Sequence, residues 1–209
     1  MTHLYFNAIR LIWVISAAFI LLEDKITLHK KIIQLGHPGI DRLMIWSTYV
    51  GDGLFLVFIF IVFLFIRIKT AVILLLSFLV SSAITQLLKH TLFFEYKRPY
   101  FYLENDRAFR QISDFTYHTE HSFPSGHATT CFVLFTILAL HFEKKYLLQI
   151  LFLVGALFFA FTRVYLSQHF LQDIIAGSII GVLITQLFWK WLNPKFLKLD
   201  RAIKIMSKH

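Results

Sequence analysis

Leu43-Met-Ile-Trp-Ser-Thr-Tyr-Val-Gly-Asp52-Gly-Leu-Phe-Leu-Val-Phe-Ile-Phe-Ile-Val-Phe-Leu-Phe-Ile66 is the stretch whose reading decides the fold. Its one charged side chain is Asp52. A helix needs about 20 mostly apolar residues to cross the hydrocarbon core of a bilayer. A helix this apolar has no polar face to turn toward water, so it belongs inside a membrane or a large core. Five further runs lie around it, at about Phe6–Leu22, Ala71–Leu88, Ala128–Phe142, Leu147–Tyr165 and Phe170–Leu192. The expected fold is therefore all-α, a polytopic membrane protein of about six transmembrane helices forming one domain across residues 1–209. The prolines Pro38, Pro99, Pro124 and Pro194 all fall outside the apolar runs, as helix interiors require. No small-residue cleavage site follows the N-terminal run, which is expected to be a retained first helix.

Composition points the same way. Of 209 residues, 57% are hydrophobic and 16% charged, against about 25% charged in an ordinary soluble domain. Mean hydropathy is +0.67. Too few polar side chains are available to cover a water-exposed surface. The net charge of +9 does not indicate nucleic acid, because the Lys and Arg residues sit in short clusters between apolar runs, as juxtamembrane loops do. Such clusters can also hold anionic lipid headgroups. The single cysteine, Cys131, rules out an intramolecular disulfide and gives no cysteine metal site. It reads as a packing residue.

Loop lengths set the topology. Arg67–Thr70 and Glu143–Lys145 are tight and basic, whereas Glu23–Arg42 and Lys89–Gly126 are long. With six spans, the tight loops share a side with both termini. Arg67, Lys69, Lys144, Lys145 and Lys190, with Lys195, Lys198, Arg201, Lys204 and Lys208 of a basic tail at 193–209, mark that side as cytoplasmic. The long loops then face the other way, which for a cell inner membrane is the periplasm.

Polar residues gather on the long-loop side in three places: Lys89 to Pro99, Phe123-Pro124-Ser125-Gly126-His127, and Thr162 to Asp173. Lys89, Arg98 and Arg163 supply fixed positive charge. Ser125 and Gly126 stand at a helix start, where free N–H groups and the helix dipole favour an anion. Arginine's planar fork pairs with two phosphate oxygens, so these residues make a phosphate cradle. His169 and Asp173 are spaced i, i+4 and share a helix face. The carboxylate can hold one ring nitrogen, leaving the other as a nucleophile. His127 is placed to protonate a leaving oxygen and then to activate water. Together they form a complete phosphoryl-transfer set, with side-chain cations in the charge-stabilising role. No metal and no cofactor is expected.

These segments resemble the type 2 phosphatidic acid phosphatase (PAP2) superfamily, whose signature is K-x6-RP, PSGH and SR-x5-H-x3-D. The second element is intact at Pro124–His127. The third has Thr162 in place of Ser and keeps Arg163, His169 and Asp173 in register. The resemblance covers roughly residues 43–192. It implies a phosphohistidine intermediate on His169, His127 as general acid, and phosphate held by Lys89, Arg98, Ser125, Gly126 and Arg163 without metal. It also implies a lipid phosphate or pyrophosphate as substrate: phosphatidic acid, phosphatidylglycerol phosphate, undecaprenyl pyrophosphate or a lipid A phosphate. A phosphotransferase with the same intermediate and a non-hydrolytic phospholipid carrier are the rival readings. The bilayer and the lipid are the expected partners, nucleic acid is not, and oligomeric state is silent.

The first element departs from the signature. Its register puts the lysine at Thr91, with Lys89 two residues early and Lys97 next to Arg98. Lys89 is favoured because it closes the third apolar run, whereas Lys97 lies in a segment that Pro99 keeps extended, where neighbouring side chains diverge. Asp52 either bonds a neighbouring helix or faces the site. Tyr100, Phe101 and Tyr102 read as an interfacial aromatic belt, and His118 and His121 as loop histidines.

Overall fold

The computed structural model describes residues 3–113 and 115–206, with side chains at 4–113 and 115–194. Lys195, Lys198, Arg201, Lys204 and Lys208 lie outside the described side chains. The described residues form nine α-helices: α1 (His3–Leu22), α2 (Lys25–Ile33), α3 (Pro38–Thr48), α4 (Gly53–Ile66), α5 (Ile68–Thr91), α6 (Pro99–Leu103), α7 (Gly126–His141), α8 (Tyr146–Tyr165) and α9 (Leu171–Met206).

All six apolar runs are helical, but they differ as spans. α1, α5, α8 and α9 are long and apolar enough to cross a membrane. The run that begins at Leu43 is broken. A 3-10 turn at Tyr49–Gly51 joins α3 to α4, and the two helices bend by 54° around Asp52. α7 has 16 residues, fewer than a full span. Its position explains this, because α7 is the central helix, buried along nearly its whole length against α5, α8 and α9. A helix shielded from lipid by its neighbours need not match the hydrocarbon thickness.

The outer surface is that of a lipid-facing bundle. Leu21, Leu54 and Phe65 are each more than four-fifths exposed, and a water-facing surface would not carry this much contiguous apolar area. Inside, small residues bring helices together. A Cβ on Gly177 would lie 2.4 Å from the Ser125 carbonyl oxygen, and one on Gly181 would lie 2.6 Å from that of Thr129. The bare face of α9 therefore lets the starts of α7 and α9 touch. Polar contacts add to the packing, including Trp13 Nε1 donating to Ser178 Oγ (2.8 Å) and Thr85 with Thr129 (3.2 Å). Each is worth roughly 0.6 kcal/mol in a bilayer.

Two helices were not expected from the sequence. α2 lies where a loop was read, because it is short and rich in lysine. The Asp24 side chain caps it, accepting from the N–H groups of Ile26 and Thr27, and it buries His29 against the loop before α9 (His29 Nε2 to Ser167 Oγ, 3.1 Å). α6 begins at Pro99, where a proline is accommodated because its missing N–H would be unbonded anyway. α9 also runs through Pro194 rather than ending before it. That proline lies beyond the apolar run, where water can take the carbonyl it leaves unpaired.

The ends of the bundle are distinct. Thr70 at the start of α5 bonds His141 at the end of α7 (3.0 Å), and a cavity of about 570 Å³ there is lined by Arg10, Glu143 and Lys190. The opposite end gathers the α3–α4 break, the end of α5 and the starts of α7 and α9.

Candidate active site

His169 sits in the short connection between α8 and α9 and is buried. Its Nδ1 lies 3.3 Å from Asp173 Oδ2. The same oxygen accepts from the Phe170 N–H (2.9 Å) and from Ser122 Oγ (2.5 Å), so the carboxylate is fixed before it orients the ring. Burial, then the charges of Arg98, Arg163 and Lys89, hold His169 well below the usual histidine range. A neutral imidazole whose Nδ1 carries the proton leaves Nε2 as a free electron pair.

Three cations act on His169. Lys89, in the last turn of α5, is buried and within electrostatic reach of Arg98, Asp173 and Arg163. Arg98 is anchored through Nε to the Glu120 carbonyl oxygen (2.7 Å) and through Nη1 to Gln168 Oε1 (3.0 Å). Arg163, near the end of α8, reaches Thr48 Oγ1 through Nη1 (3.2 Å) and Gln168 Oε1 through Nη2 (3.5 Å). The Gln168 carbonyl thus lies between two guanidinium groups that would otherwise repel, and its amide nitrogen donates to the Thr116 carbonyl oxygen (3.2 Å).

Ser125 caps α7, its Oγ accepting from the Ala128 N–H (3.3 Å), and its own N–H donates to the Asp173 carbonyl oxygen (3.0 Å). Gly126 opens the helix, and a Cβ there would be in ordinary contact with Thr85 Cγ2 at 3.8 Å. This is helix-start geometry suited to an anion. His127, one residue further, has Nε2 3.4 Å from Thr48 Oγ1 and Nδ1 3.4 Å from Asp52 Oδ1. Among the described residues no group of three His, Cys, Asp or Glu side chains is disposed to hold a metal ion.

All eight residues singled out from the sequence lie at this one end of the bundle. Lys97 does not point away from Arg98 as simple alternation suggests, since both reach Glu120. Lys97 pairs with the Glu120 carboxylate while Arg98 takes its backbone oxygen. Asp52 faces the site. Tyr100 stacks on Tyr117 (4.5 Å between centroids). His118 lies in the loop before α7, where burial and the charges of Arg98 and Arg163 pull it below its usual range. Thr48, Gln168, Ser122 and Glu120 were not singled out. Gln168 alone had a usable signal, its position immediately before the histidine.

Known proteins agree with this architecture. LpxE of Aquifex aeolicus superposes with a TM-score of 0.68 at 24% identity, over 79% of this chain and 94% of that one. A transmembrane PAP2-type phosphatidylglycerolphosphate phosphatase from Bacillus subtilis gives 0.66 at 24% identity, over 90% of this chain and 96% of that one. A Drosophila melanogaster protein named "Putative phosphatidate phosphatase" is 32% identical over 87 residues, which are 37% of this chain and 23% of that relative's length. The family model for the PAP2 superfamily matches residues 70–197, more than half of the chain, and the chain belongs to that superfamily.

Proposed function

We propose that the chain is a metal-independent phosphatase that hydrolyses a lipid phosphate or pyrophosphate through a phosphohistidine. The observation that carries this reading is a buried histidine, His169, with the Asp173 carboxylate at its Nδ1 and the charges of Arg98, Arg163 and Lys89 acting on it. The phosphoryl group binds to these cations and to the first N–H groups of α7. His169 Nε2 attacks phosphorus, the N–P bond forms as the P–O bond breaks, and His127 gives its proton to the leaving oxygen. Water then attacks the phosphohistidine, His127 takes the water's proton, and inorganic phosphate leaves. The fixed cations stabilise the equatorial oxygens in both steps.

A lipid is favoured because the site lies at one end of a membrane bundle, where a headgroup can enter while its tails stay in the bilayer. Phosphatidic acid, phosphatidylglycerol phosphate, undecaprenyl pyrophosphate and lipid A phosphates share the required chemistry. The test is phosphate release from these four lipids by purified protein in excess chelator. At least one should release inorganic phosphate with water as sole acceptor, and vanadate should inhibit. Activity that disappears with chelator and returns with magnesium or zinc overturns the metal-independent mechanism.

The reading includes an orientation, with the site on the periplasmic face of the inner membrane and both termini in the cytoplasm. Arg10 and Lys190 at the end away from the site support it. A reporter active only in the cytoplasm should work when attached at His209. Silence there, with a working periplasmic reporter at the same position, reverses the orientation.

The choice of lysine is also testable. Lys97 is already paired with Glu120 at the surface, whereas Lys89 is buried beside the arginines. Exposed pairs contribute little, and a desolvated charge on phosphate contributes several-fold more. Lys89→Ala should lower kcat/KM by about 100-fold, roughly 2.7 kcal/mol of transition-state binding, and Lys97→Ala by less than about 5-fold. The reverse order in a side-by-side assay removes Lys89 from the cradle.

A further inference from the structure

We propose that Asp52 is the positioning residue for His127, orienting its ring and holding its proton so that it can act as the acid. The inference rests on the phosphatase reading above and assigns a role to a residue outside the region that the family model matches.

Three observations on the Gly51-Asp52-Gly53 break carry it. First, Asp52 occupies the N-cap position of α4, with extended backbone at φ −79° and ψ 148°, yet its side chain makes no capping bond. A capping aspartate normally accepts from the second or third N–H of its helix and stabilises it. Here Oδ1 lies instead 3.4 Å from His127 Nδ1. Second, Gly51 is where the His127 ring passes closest to the backbone. A Cβ at position 51 would lie 2.1 Å from His127 Nε2 and 2.4 Å from both adjacent ring carbons, so the ring fits only over a bare Cα. Third, the helix bends by 54° here, which ends α3 at the level of His127 and turns the carboxylate toward it.

The electrostatics give the contact a purpose. His127 must carry a proton to act as an acid, but its burial, and then Arg163 on α8, oppose a positive charge there. Asp52 is the carboxylate that faces His127 from the other side. Thr48 Oγ1 touches both His127 Nε2 (3.4 Å) and Arg163 Nη1 (3.2 Å), so Nε2 lies on the side of the phosphate-binding arginine. His127 Nε2 lies over the bare Cα of Gly51, beside Thr48 Oγ1, and both histidines have carboxylates at Nδ1. They differ in exposure: Asp173 is fully buried, whereas Asp52 is 47% exposed. Asp52 can therefore relax with solvent as the charge on His127 comes and goes. In the phosphorylation step the Nε2 proton moves to the leaving oxygen as the P–O bond breaks. Asp52 keeps the Nδ1 proton in place and exchanges none.

The experiment compares two substrates that need the acid to different degrees. Phosphatidic acid expels an alkoxide and requires a proton, whereas p-nitrophenyl phosphate expels a stable phenolate and does not. The readout is kcat/KM, which reports phosphorylation alone. Asp52→Asn should lower kcat/KM on phosphatidic acid by about 30-fold and on p-nitrophenyl phosphate by less than about 3-fold. Asp52→Ser, which removes the carboxylate and places a good N-cap residue at the same position, should behave the same way, and Asp52→Glu should recover part of the loss. Equal losses on both substrates mean that Asp52 acts only through the fold and overturn the inference, as does an unchanged rate on phosphatidic acid. Whichever of the four lipids the wild-type protein hydrolyses takes the place of phosphatidic acid, and a protein that releases phosphate from none of them overturns the phosphatase reading itself, and the inference falls with it.

Discussion

Replacing His169 with alanine should reduce phosphate release to background, a loss on the order of 10⁴-fold or more. The size follows from the absence of a substitute among the described residues near the cradle. Ser125 is committed to capping α7. Cys131 is fully buried inside α7, one turn beyond His127. His127 is held between Thr48 and Asp52. Water attacking directly would use the same cations but would forgo the covalent step, and cradles of this kind retain only part of the acceleration when the nucleophile is lost. Substrate binding should survive, because Lys89, Arg98 and Arg163 remain. The measurement is steady-state phosphate release together with lipid binding. Near-normal turnover would remove the nucleophile from the mechanism.

The second large effect is expected from Asp173→Asn, with kcat falling on the order of 10³-fold while the fold persists. The volume is unchanged, so α9 should still pack on α7 through Gly177 and Gly181. What changes is the chemistry at Oδ2, which now accepts from Ser122, from the Phe170 N–H and from His169 Nδ1. An amide cannot stabilise an imidazolium as a carboxylate does. If its NH₂ turns toward the ring, it forces the proton onto Nε2 and removes the attacking electron pair. Vanadate affinity and thermal stability should change far less than kcat. A variant with parallel losses in stability and rate would mean that Asp173 serves the fold alone.

The chain's reading from sequence depended on how local each feature is. Membrane helices announce themselves as continuous runs, so α1, α5 and α8 were legible to within a few residues, as was the start of α9, whose end lies beyond the apolar run at Met206. The break at Asp52 was not, because hydropathy passes across one charged residue without registering a 54° bend. α2 was missed because Lys25, Lys30 and Lys31 dilute its apolar face. In the site, Pro124–His127 and Arg163–Asp173 are short segments whose spacing carries the chemistry, and both could be read directly. The groups that set their geometry could not. Thr48 reaches Arg163 across 115 positions, Arg98 reaches Gln168 across 70, and Ser122 reaches Asp173 across 51. Nothing in one sequence without relatives records such contacts. The ambiguity between Lys89 and Lys97 has the same origin, since it is the partner, Glu120 for one and the buried arginines for the other, that tells them apart.

The measurement that bears most directly on the central claim is the trapping of the phosphoenzyme. Wild-type protein is mixed with a lipid substrate labelled in its phosphate, quenched within the first turnover in alkali, and digested. The label should appear on the peptide containing His169, stable in base and lost in acid as an N–P bond is, and it should be absent from His169→Ala. Label on Ser125, or full turnover with no labelled protein at any time, would contradict the phosphohistidine mechanism.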